Sequence, residues 1–185
     1  MPTAIVWTHR LETPLGAMGA AFDGEGYLVR LDFLMEGRAA TWAEPQSKRE
    51  AQDFGFLKTQ MDAYFRGSLR TFKMPHKAAG TDFQKRVWAE LECIPFGKTI
   101  SYLELAKRLG NPQCIRAAGR ANGANPISIL IPCHRVIGSD GSLVGYGGGL
   151  PRKQALLELE GALPKHQEGP LMSAESRPER PRPQP

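Results

Sequence analysis

The chain has 185 residues, 41% hydrophobic and 23% charged, with a formal net charge of +5, which fits one domain or two small ones built around a real core. No apolar run approaches the roughly 20 residues of a membrane span, Met1 to Glu12 holds no apolar signal core, and three cysteines are too few and odd in number for a disulfide scaffold, so membrane insertion and export are not expected and a reducing, cytoplasmic setting is. Residues 78–163 carry 10 Lys/Arg against 7 Asp/Glu, a basic excess that reads either as a solvated surface or as a weak sign of an anionic partner.

Residues 13–34 read as a β-hairpin. Tyr27, Val29, Leu31 and Phe33 alternate with Leu28, Arg30, Asp32 and Leu34, the period of a strand, and Asp23-Gly24-Glu25-Gly26 is a turn signal before it. A helix is predicted over 47–66, with Ser47 and Glu50 as a capping box and Phe54, Leu57, Met61, Tyr64 and Phe65 as one apolar stripe. That stripe reads as core and carries no evident chemistry. Residues 70–80, with Pro75 and Gly80, read as a linker.

Beyond residue 80 the pattern changes to short helices. Thr81 and Gln84 form a capping box for a helix that buries Phe83, Val87, Trp88 and Leu91 and stops at Ile94-Pro95-Phe96-Gly97. Ser101 caps a helix through Leu109. Gly110 closes it, and Asn111-Pro112 opens another through Gly123. Helix, glycine turn and helix make a helix-turn-helix candidate. In the second helix Arg116 and Arg120 share a face, while Ala117, Ala118, Gly119, Ala121 and Gly123 leave little bulk. Such a helix can approach another surface closely, either a nucleic acid or a neighbouring helix. Ile127 to Ile131 reads as a short buried strand, 138–141 as a turn, and Val144 to Gly149 as a glycine loop that is not a nucleotide-phosphate fingerprint. Pro151 starts a last helix, buried through Leu156, Leu157 and Leu159 and ended by Gly161. The tail from Pro164 has 6 prolines in 22 residues, a composition expected to be disordered.

Pro132-Cys133-His134-Arg135 follows the predicted strand directly. A thiolate, not a thiol, is the nucleophile; a histidine can take the proton, and a carboxylate can orient the histidine. Neighbours on an extended chain point to opposite sides, so Cys133 and His134 need a bent chain or an intervening water to cooperate. Cys93 and Cys114 read as small buried hydrophobes. The cysteines and His9, His76, His134 and His166 show no metal-ligand spacing, and no cofactor is expected.

With Ile131-Pro132-Cys133-His134-Arg135-Val136 the chain resembles the O6-alkylguanine-DNA alkyltransferases. The likeness runs from about Thr81 to Leu163 through Ile100-Ser101-Tyr102, the Arg116 helix, Asn125-Pro126, Gly145-Tyr146 and Leu156-Leu157 followed by Glu160-Gly161, and Thr13-Pro14-Leu15-Gly16 adds to it. The resemblance implies an α/β (α+β) protein: an RNase H-like α/β domain over 1–77, a helical, winged-helix-like domain over 78–163 that carries the helix-turn-helix and the alkyl acceptor, and the tail 164–185. It implies single-turnover repair, in which an alkyl group passes from O6-alkylguanine, and from O4-alkylthymine, to a cysteine.

Carried over residue by residue, Cys133 matches the acceptor, His134 the base that acts through a water, Glu160 the carboxylate that orients it, and Asn125 the brace of the site. Tyr102 matches the tyrosine that contacts the guanine and crowds the neighbouring phosphate, and Arg116 the finger that fills the stack when the nucleotide flips out. Ala117, Gly119, Arg120, Asn111 and Arg135 fall on the implied DNA-binding surface. Val136, Tyr146, Gly147 and Gly148 fall on the base pocket, Gly147 standing where serine or alanine is common. The implied partner is double-stranded DNA entered from the minor groove by a monomer, with no membrane. Two rival readings are a lesion sensor, which carries tryptophan at the acceptor position, and a transcription factor of the adaptive-response type, whose cysteine-zinc domain has no counterpart before Cys93. A small thiol hydrolase would leave the Arg116 helix without a purpose.

Overall fold

Residues 5–34 and 48–165 are described by the computed structural model. The first chain segment forms a three-stranded antiparallel sheet in the order β1-β2-β3, with β1 at Ile5–Leu11, β2 at Met18–Asp23 and β3 at Leu28–Phe33. The expected hairpin is present, and β1 adds to it. Every residue of β2 is buried, which the small and apolar residues Met18 to Phe22 allow in a central strand, with Asp23 at its end. Asp23 makes the turn by accepting the Glu25 and Tyr27 amides, each at 2.9 Å. In β3 the pairing jumps from Ala21↔Arg30 to Phe22↔Leu28, so Val29 bulges out of register. The buried residues are therefore Leu28, Leu31 and Phe33, rather than the strict alternation Tyr27, Val29, Leu31, Phe33.

Helix α1 spans Lys48–Phe65 and buries Leu57, Met61 and Tyr64; the expected Ser47–Glu50 capping box lies outside the described residues. The stretch expected as a linker is tied to the outer edge of β3. The Leu28 amide donates to Pro75 O and the Lys77 amide to Leu28 O, both at 3.0 Å, and Met74 is buried beside them. Three residues on, the same edge takes a second segment: Leu31 N donates to Pro126 O at 2.9 Å, and Ser128 N to Leu31 O at 2.7 Å. Both contacts satisfy main-chain groups that an edge strand would otherwise leave open, and the second fastens the segment before Cys133 to the sheet.

Helix α2 (Asp82–Glu92) has the complete Thr81–Gln84 capping box. Its buried Trp88 donates Nε1–H to Ala121 O at 2.9 Å. Ser101 caps α3 (Tyr102–Arg108) by accepting the Glu104 amide at 3.0 Å. The helix expected over 112–123 is divided: Asn111 caps a single 3₁₀ turn at Pro112–Cys114, and α4 proper runs Ile115–Gly123. Strands β4 (Ile100–Ser101) and β5 (Val136–Ile137) pair in parallel, Ile100 with Val136 and Ser101 with Ile137. Helix α5 spans Leu150–Leu159, with Gly149 as N-cap at φ 90°. One apolar cluster joins Leu31, Leu57, Val87, Ile127, Ile131 and Leu156. The fold is mixed α/β. The tail after Lys165 lies outside the described residues.

Ile127 to Ile131 is buried except for half-buried Leu130, but it is not a strand. It makes only isolated bridges and turns on itself, Leu130 N donating to Ser128 O at 2.9 Å and Ile131 N to Ile127 O at 3.0 Å, with Ile129 at φ 74°. A β-branched residue in that region is strained, and the strain is held by the surrounding core. A short apolar run between prolines fits a strand and a buried turn equally well.

Candidate active site around Cys133

The turn delivers Cys133. Asn125 takes the place of a strand partner for it: its Oδ1 accepts the Ile127 amide at 3.0 Å, and its Nδ2 donates to Ile131 O at 2.7 Å. Pro132 bends the chain again, Cys133 N donating to Ile131 O at 2.8 Å, and Cys133 to Arg135 form one 3₁₀ turn. The motif is thus bent, not extended. Cys133 is buried. Burial pushes its thiol up to about 11, against the lowering effect of the Asn125 hydrogen bond and the Lys153 charge, while Asp32 raises it further. At rest the group is a thiol, and the thiolate has to be made by a base.

His134 is fully buried. Its Nε2 lies 2.9 Å from Glu160 Oε1, and its Nδ1 is buried without a hydrogen-bond partner among the described residues. An ionised carboxylate only accepts, so Nε2 carries the proton and Nδ1 holds the free lone pair. Burial, opposed by the Glu160 hydrogen bond and charge, lowers the affinity of His134 for a second proton. The imidazole is therefore neutral at pH 7 with its basic nitrogen unoccupied.

Glu160 sits at the C-cap of α5 and meets five donors. Oε1 accepts from Tyr64 at 2.7 Å, His134 at 2.9 Å and Arg135 Nη2 at 2.9 Å; Oε2 accepts from Arg135 Nε at 2.8 Å and the Gly97 amide at 3.3 Å. Burial opposes its ionisation, but the His134 and Arg135 bonds outweigh that and hold it at about 2. A carboxylate bound so fully orients its partners and does not take up a proton.

Tyr102 opens α3 beside the thiol. Its hydroxyl accepts from Asn122 Nδ2 at 3.4 Å and donates to Val144 O at 3.4 Å. Burial first, then the nearby Cys133, raises its pKa, so it stays a proton donor. Asn122 Nδ2 also reaches Cys133 O at 3.4 Å. Lys153, fully buried on α5, donates to Val136 O at 2.6 Å and Val144 O at 2.8 Å, joining the motif strand to the glycine loop. Burial pushes its ammonium down to about 8, with Cys133 pulling the other way. Within the loop a Cβ on Gly148 would come 2.8 Å from both Phe33 and Tyr146, whereas Gly147 faces open space. The Tyr146 ring stands edge-on to His134, at 6.5 Å between centroids. Arg152 donates to Leu15 O at 2.8 Å and Gly148 O at 2.9 Å and lies over Phe33, which ties the loop to the Thr13–Gly16 turn.

Helix α4 has two sides. Ala118, Ala121 and Asn122 are buried, Ala117 and Gly119 are half-buried, and Arg116 and Arg120 are exposed. A Cβ on Gly119 would sit 3.7 Å from the Tyr102 ring, an ordinary contact. Its small residues thus serve close packing on one side and leave a low surface on the other. Asn111 is exposed, and its Oδ1 caps the Gln113 amide at 2.9 Å.

Arg135 does not lie on the DNA-binding surface that the family resemblance implies: it is buried, paired with Glu160, and donates Nη1–H to Ile94 O at 2.6 Å. A guanidinium with those partners supports the site from beneath. Cys93 is exposed rather than buried, and Cys114 is half-buried. Among the described residues no group of three His, Cys, Asp or Glu could hold a metal, and no helix is long and apolar enough to cross a membrane. Tyr64, Asn122 and Lys153 escaped sequence reasoning. Only Lys153 left a local signal: it lies three and four residues before Leu156 and Leu157, on the buried face of α5.

Residues 82–162 match the family model described as the DNA-binding domain of 6-O-methylguanine DNA methyltransferase. A methylated-DNA-protein-cysteine methyltransferase of Mycobacterium leprae is 55% identical over 165 residues, covering 88% of this chain and 94% of the relative. One from Methanosarcina acetivorans is 44% identical over 151 residues, covering 82% and 96%. Among solved structures, Mycobacterium tuberculosis OGT in complex with DNA superposes with a TM-score of 0.75 at 43% identity, covering 85% of this chain and 94% of that one.

Proposed function

The chain belongs to the family of methylated-DNA-protein-cysteine methyltransferases, direct-repair proteins that move an alkyl group from O6-alkylguanine in DNA to one of their own cysteines, and from that premise we propose that Cys133 is the acceptor and His134, Glu160 and Tyr102 its working partners. His134 Nδ1 takes the thiol proton through a water. The thiolate sulfur attacks the alkyl carbon, an S–C bond forms as the O6–C bond breaks, and the guanine leaves neutral by taking a proton from Tyr102, which recovers one through water from the His134 imidazolium. The thioether is stable, so each chain acts once. O4-alkylthymine presents a similar electrophilic carbon and is a second substrate. The observation that carries this reading is the imidazole pinned to Glu160 at 2.9 Å with its other nitrogen free, next to a buried thiol.

The thiol is buried and a stacked base cannot reach it, so the damaged nucleotide flips out of the duplex, at a cost of a few kcal/mol. Exposed Arg116 enters the vacated stack. The low surface of Ala117 and Gly119 allows α4 into the minor groove, with Arg120 on phosphate and Asn111 at the mouth of the turn. Val136, Tyr146, Gly147 and Gly148 line the base pocket. In this reading the chain is a cytoplasmic monomer whose sheet-bearing part, residues 1–77, is an RNase H-like domain and whose residues 78–163 form a winged-helix-like domain. Incubation with a duplex labelled on the O6-methyl group tests it: label moves to protein and saturates at one per chain. Release of label to water, or continued turnover, overturns it.

A further inference from the structure

Tyr64 belongs to the aromatic stripe of α1, where a phenylalanine would pack as well. Its ring is boxed by Phe65, Phe72 and Phe96 at centroid distances of 5.4, 5.3 and 6.1 Å, and it is fully buried. A buried hydroxyl is costly unless bonded. This one reaches a residue 96 positions away, Glu160, and meets at 2.7 Å the same Oε1 that holds His134. Glu160 does not lack donors, since Arg135 and Gly97 already serve it. The hydroxyl therefore does more than satisfy a carboxylate: it draws on the lone pairs that face the imidazole.

We propose that Tyr64 is a positioning residue of the alkyl-transfer relay, its hydroxyl fixing Glu160 Oε1 and limiting how strongly that oxygen attracts the proton on His134. This inference rests on the relay proposed above. The balance at His134 is set first by burial, which opposes a second proton, then by Glu160, which favours it, and by Arg135 and Lys153, which oppose it, with Cys133 adjacent in sequence and the Tyr146 ring edge-on. Tyr64 itself is faced by Glu160, Arg135 and Tyr146, and burial together with the Glu160 charge keeps its hydroxyl protonated. Without that hydroxyl, Oε1 offers more charge to His134. The imidazole then holds a second proton to higher pH and is unavailable as a base over a wider acidic range. The segment before residue 78 thus contributes to the chemistry as well as to the fold.

The test is the single-turnover rate of methyl transfer from a labelled duplex, at saturating protein, as a function of pH. It compares the full wild-type chain with Tyr64→Phe and Glu160→Gln. Tyr64→Phe removes one oxygen and keeps the ring in its box. Its acid limb should move up by about 0.5–1 pH unit, the scale of one hydrogen bond, so that it loses more rate at pH 6 than at pH 8. Replacing Tyr64 with difluorotyrosine, a stronger donor in the same place, should move the limb the other way. An acid limb that stays put in both variants overturns the assignment, whatever happens to the plateau rate. If Glu160→Gln moves the profile and Tyr64→Phe does not, the relay stands and Tyr64 only packs. If neither moves it, the relay fails and the inference fails with it.

Discussion

Arg135 clasps Glu160 with two hydrogen bonds, Nε to Oε2 at 2.8 Å and Nη2 to Oε1 at 2.9 Å, and the carboxylate has no exposed surface. Removing one partner of such a pair leaves the other charge buried and typically costs about 3–5 kcal/mol. Glu160→Gln should accordingly lose stability at pH 7 in urea unfolding and slow transfer at least tenfold.

The same carboxylate sets an acid limit. Its folded pKa of about 2 lies below the ordinary 4.5, so the unfolded chain binds the proton first as pH falls. Its stabilisation is complete above about pH 5 and is lost as pH falls towards 2, a difference of about 3 kcal/mol. Asp23 and Asp140 are also lowered, so the contribution of Glu160 is the difference between wild type and Glu160→Gln. That difference should shrink between pH 5 and pH 2. A gap independent of pH would mean that Glu160 does not titrate in this range.

Arg116 and Tyr102 should separate flipping from chemistry. Arg116→Ala should slow repair of a duplex strongly and leave reaction with the free base O6-benzylguanine close to wild type, because a free base has no stack to refill. Tyr102→Phe removes a hydroxyl proposed to contact the base and should slow both. Equal impairment of the two substrates by Arg116→Ala would make Arg116 a support of the pocket.

Lys153 should hold the loop that closes the pocket. Lys153→Met keeps the volume but takes the Lys153 ammonium away from the Val136 and Val144 carbonyls, leaving Val144 O only the long 3.4 Å bond from Tyr102. Part of the loss is offset because a buried charge disappears, so the net destabilisation should be about 1–3 kcal/mol. Hydrogen exchange should accelerate over residues 144–149. Unchanged exchange there would show that Arg152 and Tyr102 suffice to anchor the loop.

What the sequence disclosed divides along physical lines. The Thr81–Gln84 box is local and stands where the residues place it; Asn111 also caps where expected, but the turn it opens is 3₁₀ and α4 begins only at Ile115. Strand β1 was hidden because His9, buried at an inward position, interrupts the apolar alternation that marks a strand. The Ile127–Ile131 turn was hidden because its shape comes from Asn125 and from β3, not from its own composition. Val29 shifted the strand register through a bulge that no residue type announces. At the site the motif residues were visible as a contiguous string around Cys133. Their supports were not: Tyr64, Asn122 and Lys153 reach the site from three different helices, and only folding brings them within hydrogen-bond distance.

Cys133 alone should receive the alkyl group, and intact-mass measurement with peptide mapping after reaction with an O6-methylguanine duplex reads this out. We expect a gain of one methyl group per chain, carried on the peptide that contains Cys133. Cys133→Ser should gain none while binding the same duplex with nearly unchanged affinity, because a hydroxyl is a poor nucleophile at neutral pH and the exposed face of α4 is untouched. A methyl group on Cys93 or Cys114, or loss of the lesion in the presence of Cys133→Ser, would contradict it.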